Sequence, residues 1–111
     1  MASLPEKQAA QLRSLVGLKR QKAEQDMLVI QKDVRRIETE IEAVQASMIA
    51  LDQPGTDYDA ASLARRHGGA ERLVAELARK RAELAARQAD LEAARDGLKR
   101  AMHSEDRIGD L

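Results

Sequence analysis

Apolar residues in the first half of the chain recur three and four positions apart. The run, which alternates these two steps without interruption, comprises Met27, Ile30, Val34, Ile37, Ile41, Val44, Met48 and Leu51. These steps repeat every seven residues and place one apolar stripe along a helix, as in coiled coils. Pro5 suits the start of a helix and no proline follows before residue 54, so the pattern predicts a helix over residues 5–52. Upstream the stripe meets Arg20 and Arg13, which indicates a local change of phase.

A second apolar row lies in the C-terminal half, where leucines recur at intervals of seven. They are Leu77, Leu84, Leu91 and Leu98, and the positions four further on are Arg81, Gln88, Arg95 and Met102. This row predicts a helix over residues 58–102, capped by Thr56 or Asp57. Gly68-Gly69 weakens it, so we expect a break at 67–69 that admits a kink. Residues 103–111 are polar and are expected to fray.

Pro54-Gly55 separates the two rows and predicts a turn over residues 53–57. A reversal there brings the apolar stripes together, with Ile41 opposite Ala70 and Val34 opposite Leu77. The sequence therefore predicts an all-α fold, an antiparallel two-helix coiled-coil hairpin that forms a single domain over residues 1–111. Such a pair leaves apolar residues outside its seam, and these are Leu15, Leu18, Leu28, Val29, Ile49 and Leu73.

The composition excludes several other classes. With one aromatic residue and no cysteine, the 111-residue chain lacks the large side chains of a thick core, and it cannot form disulfides or cysteine-based zinc sites. No apolar run approaches the roughly 18 residues that span a bilayer, and the N-terminus lacks a signal-peptide layout, which favours a cytoplasmic protein. The two histidines, His67 and His103, are far apart, and no phosphate-binding glycine loop is present. We therefore expect no enzyme, metal or cofactor.

Charge is distributed unevenly although the net charge is zero. Residues 37–62 contain six acids and no base, whereas residues 63–100 contain ten bases and six acids. One interpretation is a solvated coiled-coil surface; the other is recognition of different partners by a basic stem and an acidic tip. Nucleic acid is not favoured as a partner, because stacking aromatics are missing. The candidate partner-binding residues are Lys19, Arg20, Lys22, Leu28, Val29, Tyr58, Arg79, Lys80 and Arg81.

The hairpin and the spacing near its start resemble a known family. Leu12, Leu15 and Leu18-Lys19, followed by Lys22-Ala23-Glu24, look like the stalk proteins of type III export, the flagellar J-like and virulence O-like coiled-coil proteins. The resemblance implies a non-enzymatic adaptor that contacts a hexameric export ATPase and the export gate or export chaperones, at the periphery of a membrane export apparatus. It assigns no individual binding residue. The alternative is a structural coiled coil that acts by self-association, as a dimer or a four-helix bundle.

Overall fold

The computed structural model describes residues 5–52 and 59–110. These residues form two long helices, α1 over Glu6–Leu51 and α2 over Ala60–Gly109, and they contain no strand. The fold is the predicted all-α antiparallel helical hairpin. The turn predicted over 53–57, with Pro54-Gly55, and the candidate caps Thr56 and Asp57 lie outside the described residues, as does Tyr58.

The ends of both helices follow from local chemistry. Pro5 precedes α1, and its carbonyl accepts the first helical hydrogen bond, from the Ala9 amide at 3.0 Å. Asp59 caps α2, because its Oδ1 accepts a hydrogen bond from the Ser62 amide at 2.6 Å. That amide bond, together with one from the Ser62 side chain, lowers the pKa of Asp59.

The second helix is longer than the sequence predicted. It continues through the glycines, so the break expected at 67–69 is wrong, and it extends to Gly109 where fraying was expected from 103. Two helical glycines cost only about 1 kcal/mol each, which packing on either side offsets, and His67 is joined across them to Glu71 at 3.2 Å. Near the far end, Ile108 is half-buried and Glu105 is ion-paired, so the last turns also pack.

The chain divides into two compact units. The first unit comprises Met1–Lys32 and Gln88–Leu111, and its buried side chains are Ala9 and Leu91. Val16 and Ala23 continue the stripe of α1 at seven-residue intervals and are half-buried. The sequence placed Arg13 on this stripe, but Arg13 is exposed and Leu12 is half-buried in its place. A shift of one residue keeps the start of α1 apolar on the side that faces α2.

The second unit comprises Asp33–Arg87. Its buried side chains are Val34, Ile37, Val44 and Leu77, and Ile37 is completely buried. The predicted stripe of α1 is therefore confirmed as the packed face in this unit. Leu73 was expected outside the seam, but it is half-buried, four residues before Leu77. Lys80 and Arg87 follow Leu73 at intervals of seven residues, and both contact carboxylates of α1. The second row of the α2 seam therefore lies three residues after Leu77 and Leu84, and not four residues after them, at Arg81 and Gln88, as the sequence indicated.

The register of the second unit also differs from the prediction. Glu40 pairs with Lys80, and Leu51 lies beside Gly69, whereas the sequence placed Ile41 opposite Ala70. The displacement is about nine residues along α2. The predicted register was based on aligning apolar residues of the two helices, and it did not take into account that Lys80 and Arg87 lie on the seam. The observed register brings both cations to carboxylates of α1, so that neither is buried without a partner.

Candidate functional site

Arg20 forms hydrogen bonds and ion pairs with two glutamates of the first unit. Its Nε donates hydrogen bonds to Oε1 and Oε2 of Glu105 at 2.9 and 3.0 Å, and its Nη1 donates to Oε1 of Glu24 at 2.8 Å. The hydrogen bonds that Arg20 donates to Glu105 first, and to Glu24 next, raise the pKa of Arg20. The side chain retains 26% of its exposure. Arg20 therefore joins α1 to α2, although the sequence made it a candidate partner-binding residue.

Lys80 has a similar place in the second unit. Its Nζ donates to Oε2 of Glu40 at 3.1 Å and lies 3.8 Å from Glu83. The hydrogen bond from Lys80 is the main reason that the pKa of Glu40 is lowered, and the bond from Arg36 adds to it. Only 24% of the Lys80 side chain is exposed, and its ammonium group joins α2 to α1 through Glu40.

A network of charged side chains surrounds that pair. Arg87 donates from Nε to Oδ2 of Asp33 at 2.6 Å, and Arg36 contacts Asp33, Glu40 and Glu83 at 2.8 to 3.2 Å. Hydrogen bonds from Arg87, and secondarily from Arg36, lower the pKa of Asp33. The carboxylates, led by that of Asp33, raise the pKa of Arg36. The sequence analysis missed this network, although acids seven apart at 33 and 40 face cations seven apart at 80 and 87.

Arg79 and Arg81, the two neighbours of Lys80, are both exposed. Consecutive helical residues point about 100° apart, so the two guanidinium groups emerge on opposite sides of Lys80. The basic triplet therefore does not form one binding patch. Tyr58 lies outside the described residues, and its candidate role stays a prediction.

Four apolar side chains of α1 in the first unit point to solvent. They are Leu15, Leu18, Leu28 and Val29, which retain 51%, 62%, 52% and 62% of their exposure. The cation Lys22 lies on the same face, seven residues after Leu15 and seven before Val29, and it is exposed. We call these five residues the outer patch. The candidates Lys22 and Val29 thus follow one exposed face of α1 with Leu15, and Leu28, which points about 100° away from Val29, lies on the neighbouring exposed side of the helix.

Lys19, the remaining candidate on α1, lines a groove of about 320 Å³ between the helices of the first unit. The groove has an apolar floor of Val16, Ala101 and Ile108 and a polar rim of Lys19, Arg100, Ser104 and Arg107. We call it the basic groove. Arg100 and Arg107 were not singled out from the sequence, since only the pairing of α1 with α2 brings them to Lys19.

The second unit contains a larger and less polar groove. It measures about 530 Å³ and is lined by Ser47, Ala50, Leu51, Gly69, Arg72, Leu73 and Glu76. Small residues open it, because Gly69 has no side chain where it faces Leu51; a Cβ atom there would lie 3.6 Å from Leu51 Cδ1. The groove can receive an apolar side chain, but it contains no cluster of groups suited to catalysis.

The described residues 5–52 and 59–110 contain no helix that is long and apolar enough to cross a membrane. Within the same ranges, no group of three or more histidine, aspartate or glutamate side chains could hold a metal ion. Comparison with known proteins identifies no relative: no family model, curated protein or solved structure matches the chain. The candidate surfaces must therefore be interpreted from their own chemistry.

Proposed function

We propose that this protein is a non-enzymatic helical adaptor that binds other proteins through the outside of its hairpin. The observation that carries the proposal is the outer patch, where four large apolar side chains of α1 remain half or more exposed beside Lys22. Exposed apolar side chains with a polar rim are typical of protein-binding surfaces. Among the candidates that the structure describes, the internal pairing of Arg20 and Lys80 leaves Lys19, Lys22, Leu28 and Val29 on α1 and Arg79 and Arg81 on α2 as possible contacts, and Tyr58 stays a candidate.

The resemblance of the N-terminal spacing to the stalk proteins of type III export suggests the kind of partner. On that basis we propose a hexameric export ATPase as the first partner, with the export gate or export chaperones as further ones, and a location on the cytoplasmic side of the export apparatus. The contact is non-covalent and combines burial of the apolar side chains of the outer patch with attraction between the cations Lys19 and Lys22 and acidic residues of the partner.

The proposal is tested by binding of the full chain to a purified type III export ATPase hexamer. In the variant Lys19→Glu with Lys22→Glu, we expect affinity to fall by about tenfold or more, because two attractive charges become repulsive. The variant Leu28→Ser with Val29→Ser should also lose affinity, since it removes apolar contact area.

The matched control is Lys32→Glu with Arg35→Glu, which makes the same charge change on α1 at exposed residues outside the outer patch. It should bind nearly as the unmodified chain does. The proposal is contradicted if the unmodified chain does not bind the hexamer, or if the patch variants and the control bind equally well.

A further inference from the structure

The basic groove combines unpaired positive charge with an apolar floor. Within the described residues, Lys19, Arg100 and Arg107 form no ion pair, whereas Arg20, Arg36 and Lys80 are held by carboxylates. No acidic side chain lines the groove. An apolar floor surrounded by cations is suited to a helix that presents an apolar side chain between carboxylates.

One face of α1 in the second unit has that chemistry. Glu38, Glu42, Ile49 and Asp52 are spaced by four, seven and three residues, so they follow one side of the helix. We call them the acidic stripe. All but Asp52 belong to α1 itself, and Asp52 follows its last residue. All four are exposed; Ile49 retains 66% of its exposure, more than any other large apolar side chain in the described residues.

The stripe carries negative charge that the second unit does not neutralise. Glu38 and Glu42 form no ion pair within the described residues, in contrast to Glu40 between them, which is bound by Lys80 and Arg36. No lysine or arginine occurs between residues 37 and 62. In this part of α1, the carboxylate of Glu40 therefore faces α2, and those of Glu38 and Glu42 face solvent.

We propose that the basic groove binds the acidic stripe of a second copy of this chain. Lys19, Arg100 and Arg107 meet the carboxylates, and Ile49 covers the floor. The stripe is about 21 Å long and the groove residues of α2 span about 12 Å, so one stripe covers the groove from end to end. A net charge of zero leaves no overall repulsion between copies.

Self-association of this kind is weak and depends on salt, because the charged groups on both surfaces are exposed to solvent. This self-association does not rest on the proposed function, but it affects the binding of a protein partner. Lys19 is a rim residue of the basic groove and also a candidate contact for a protein partner. A chain whose groove is occupied by a second copy cannot use Lys19 elsewhere, so the self-associated form competes with partner binding.

Sedimentation velocity over a range of protein concentrations tests the proposal. At about 50 mM salt we expect reversible self-association, with a dissociation constant that rises by about tenfold or more at about 500 mM. The groove variant, Lys19→Glu with Arg107→Glu, and the stripe variant, Glu38→Lys with Glu42→Lys, should each associate about tenfold less tightly. An equimolar mixture of the two variants should associate again, because the reversed charges are complementary.

The control variant Lys32→Glu with Arg35→Glu should associate like the unmodified chain, and circular dichroism checks that each variant remains helical. The proposal is overturned if the unmodified chain is monomeric at every concentration, if the groove and stripe variants associate as it does, or if their mixture stays monomeric. Binding of the export ATPase is measured separately with Leu28→Ser and Val29→Ser, which lie outside both surfaces, so failure of one proposal is distinguishable from failure of the other.

Discussion

The guanidinium group of Arg20 in α1 holds the carboxylate of Glu105 in α2, with its Nε 2.9 and 3.0 Å from the two carboxylate oxygens. Gly17 lies one turn earlier in α1, and a Cβ atom there would be in ordinary van der Waals contact with Oε2 of Glu105, at 3.5 Å. An arginine on the apolar stripe is thus accommodated because α2 supplies a carboxylate at the same level. The pair aligns the helices of the first unit.

Removing one member of this pair is expected to destabilise the chain more than removing both. Glu105→Ala leaves Arg20 on the seam without its main partner, so the midpoint of thermal unfolding should fall. In Arg20→Met with Glu105→Leu, apolar side chains replace both charges and the midpoint should recover or exceed the original value. Circular dichroism measures the unfolding.

The control for this prediction is Glu92→Ala, which removes an exposed carboxylate of α2 that makes no ion pair in the described residues. Its unfolding midpoint should be close to that of the unmodified chain. A double variant less stable than Glu105→Ala would show that the ion pair itself, rather than the need to avoid an unpaired charge, stabilises the seam.

The packed face of α1 was predictable because its residues obey one rule without exception. From Met27 to Leu51 the steps of three and four never fail, and the structure buries Val34, Ile37 and Val44 from this run. A continuous apolar stripe has only one face to bury, so the pattern alone determines which side chains lie inside. The same argument identified the leucines of α2, of which Leu77 and Leu91 are buried.

The register and the binding surfaces were less predictable, because they depend on which residues of the two helices meet. Leucines at intervals of seven can pair with the stripe of α1 in more than one alignment. Lys80 and Arg87 select the observed one through Glu40 and Asp33, yet in the sequence they resemble any solvated cations. The basic groove follows from the same cause, since Arg100 approaches Lys19 only in the folded chain.

Two isoleucines of α1 should respond very differently to truncation. Ile37 is completely buried, so Ile37→Ala removes apolar contacts and leaves a cavity, and we expect a loss of about 2–5 kcal/mol in the free energy of unfolding. Ile49 is 66% exposed, so Ile49→Ala should change it by no more than about 0.5 kcal/mol. Urea unfolding of dilute protein measures both values. Equal losses in the two variants would contradict the assignment of the seam.

Acid should destabilise the second unit through Asp33 and Glu40. Both groups have pKa values lowered in the folded chain, by Arg87 and Lys80 respectively, so the unfolded chain binds more protons in acid. The stability that they contribute is complete above their ordinary pKa values, near 4, and is lost as the pH falls below that range through the lowered values. The midpoint of thermal unfolding should therefore decrease between about pH 5 and about pH 2.

The pH prediction is checked with Asp33→Asn and Glu40→Gln in one chain. This variant should be less stable at about pH 6, and its unfolding midpoint should depend less on pH than that of the unmodified chain. The control, Glu38→Gln with Glu42→Gln, changes two exposed carboxylates without ion pairs in the described residues and should keep the original slope. An unchanged slope in the Asp33 and Glu40 variant would exclude these pairs as the source of acid sensitivity.

Glycines inside α2 offer a route to a more stable chain. Gly68 and Gly97 lie within the helix, and a Cβ atom on Gly68 would meet nothing within 4 Å, while on Gly97 its nearest neighbour would be the end of the Arg100 side chain at 3.9 Å. Alanine therefore fits at both positions. Because it removes the conformational freedom that glycine gives to the unfolded chain, each substitution should raise the free energy of unfolding by about 0.5–1 kcal/mol.

Urea unfolding of Gly68→Ala and Gly97→Ala measures the gain, and Ala75→Gly, at an exposed position in α2, should lose a similar amount. Gly109→Ala should gain less, because Gly109 is the last residue of the helix. The two interior substitutions are expected to be additive, since the sites are far apart along α2. A loss of stability in Gly68→Ala would mean that the helix bends at the glycine pair in a way that alanine resists.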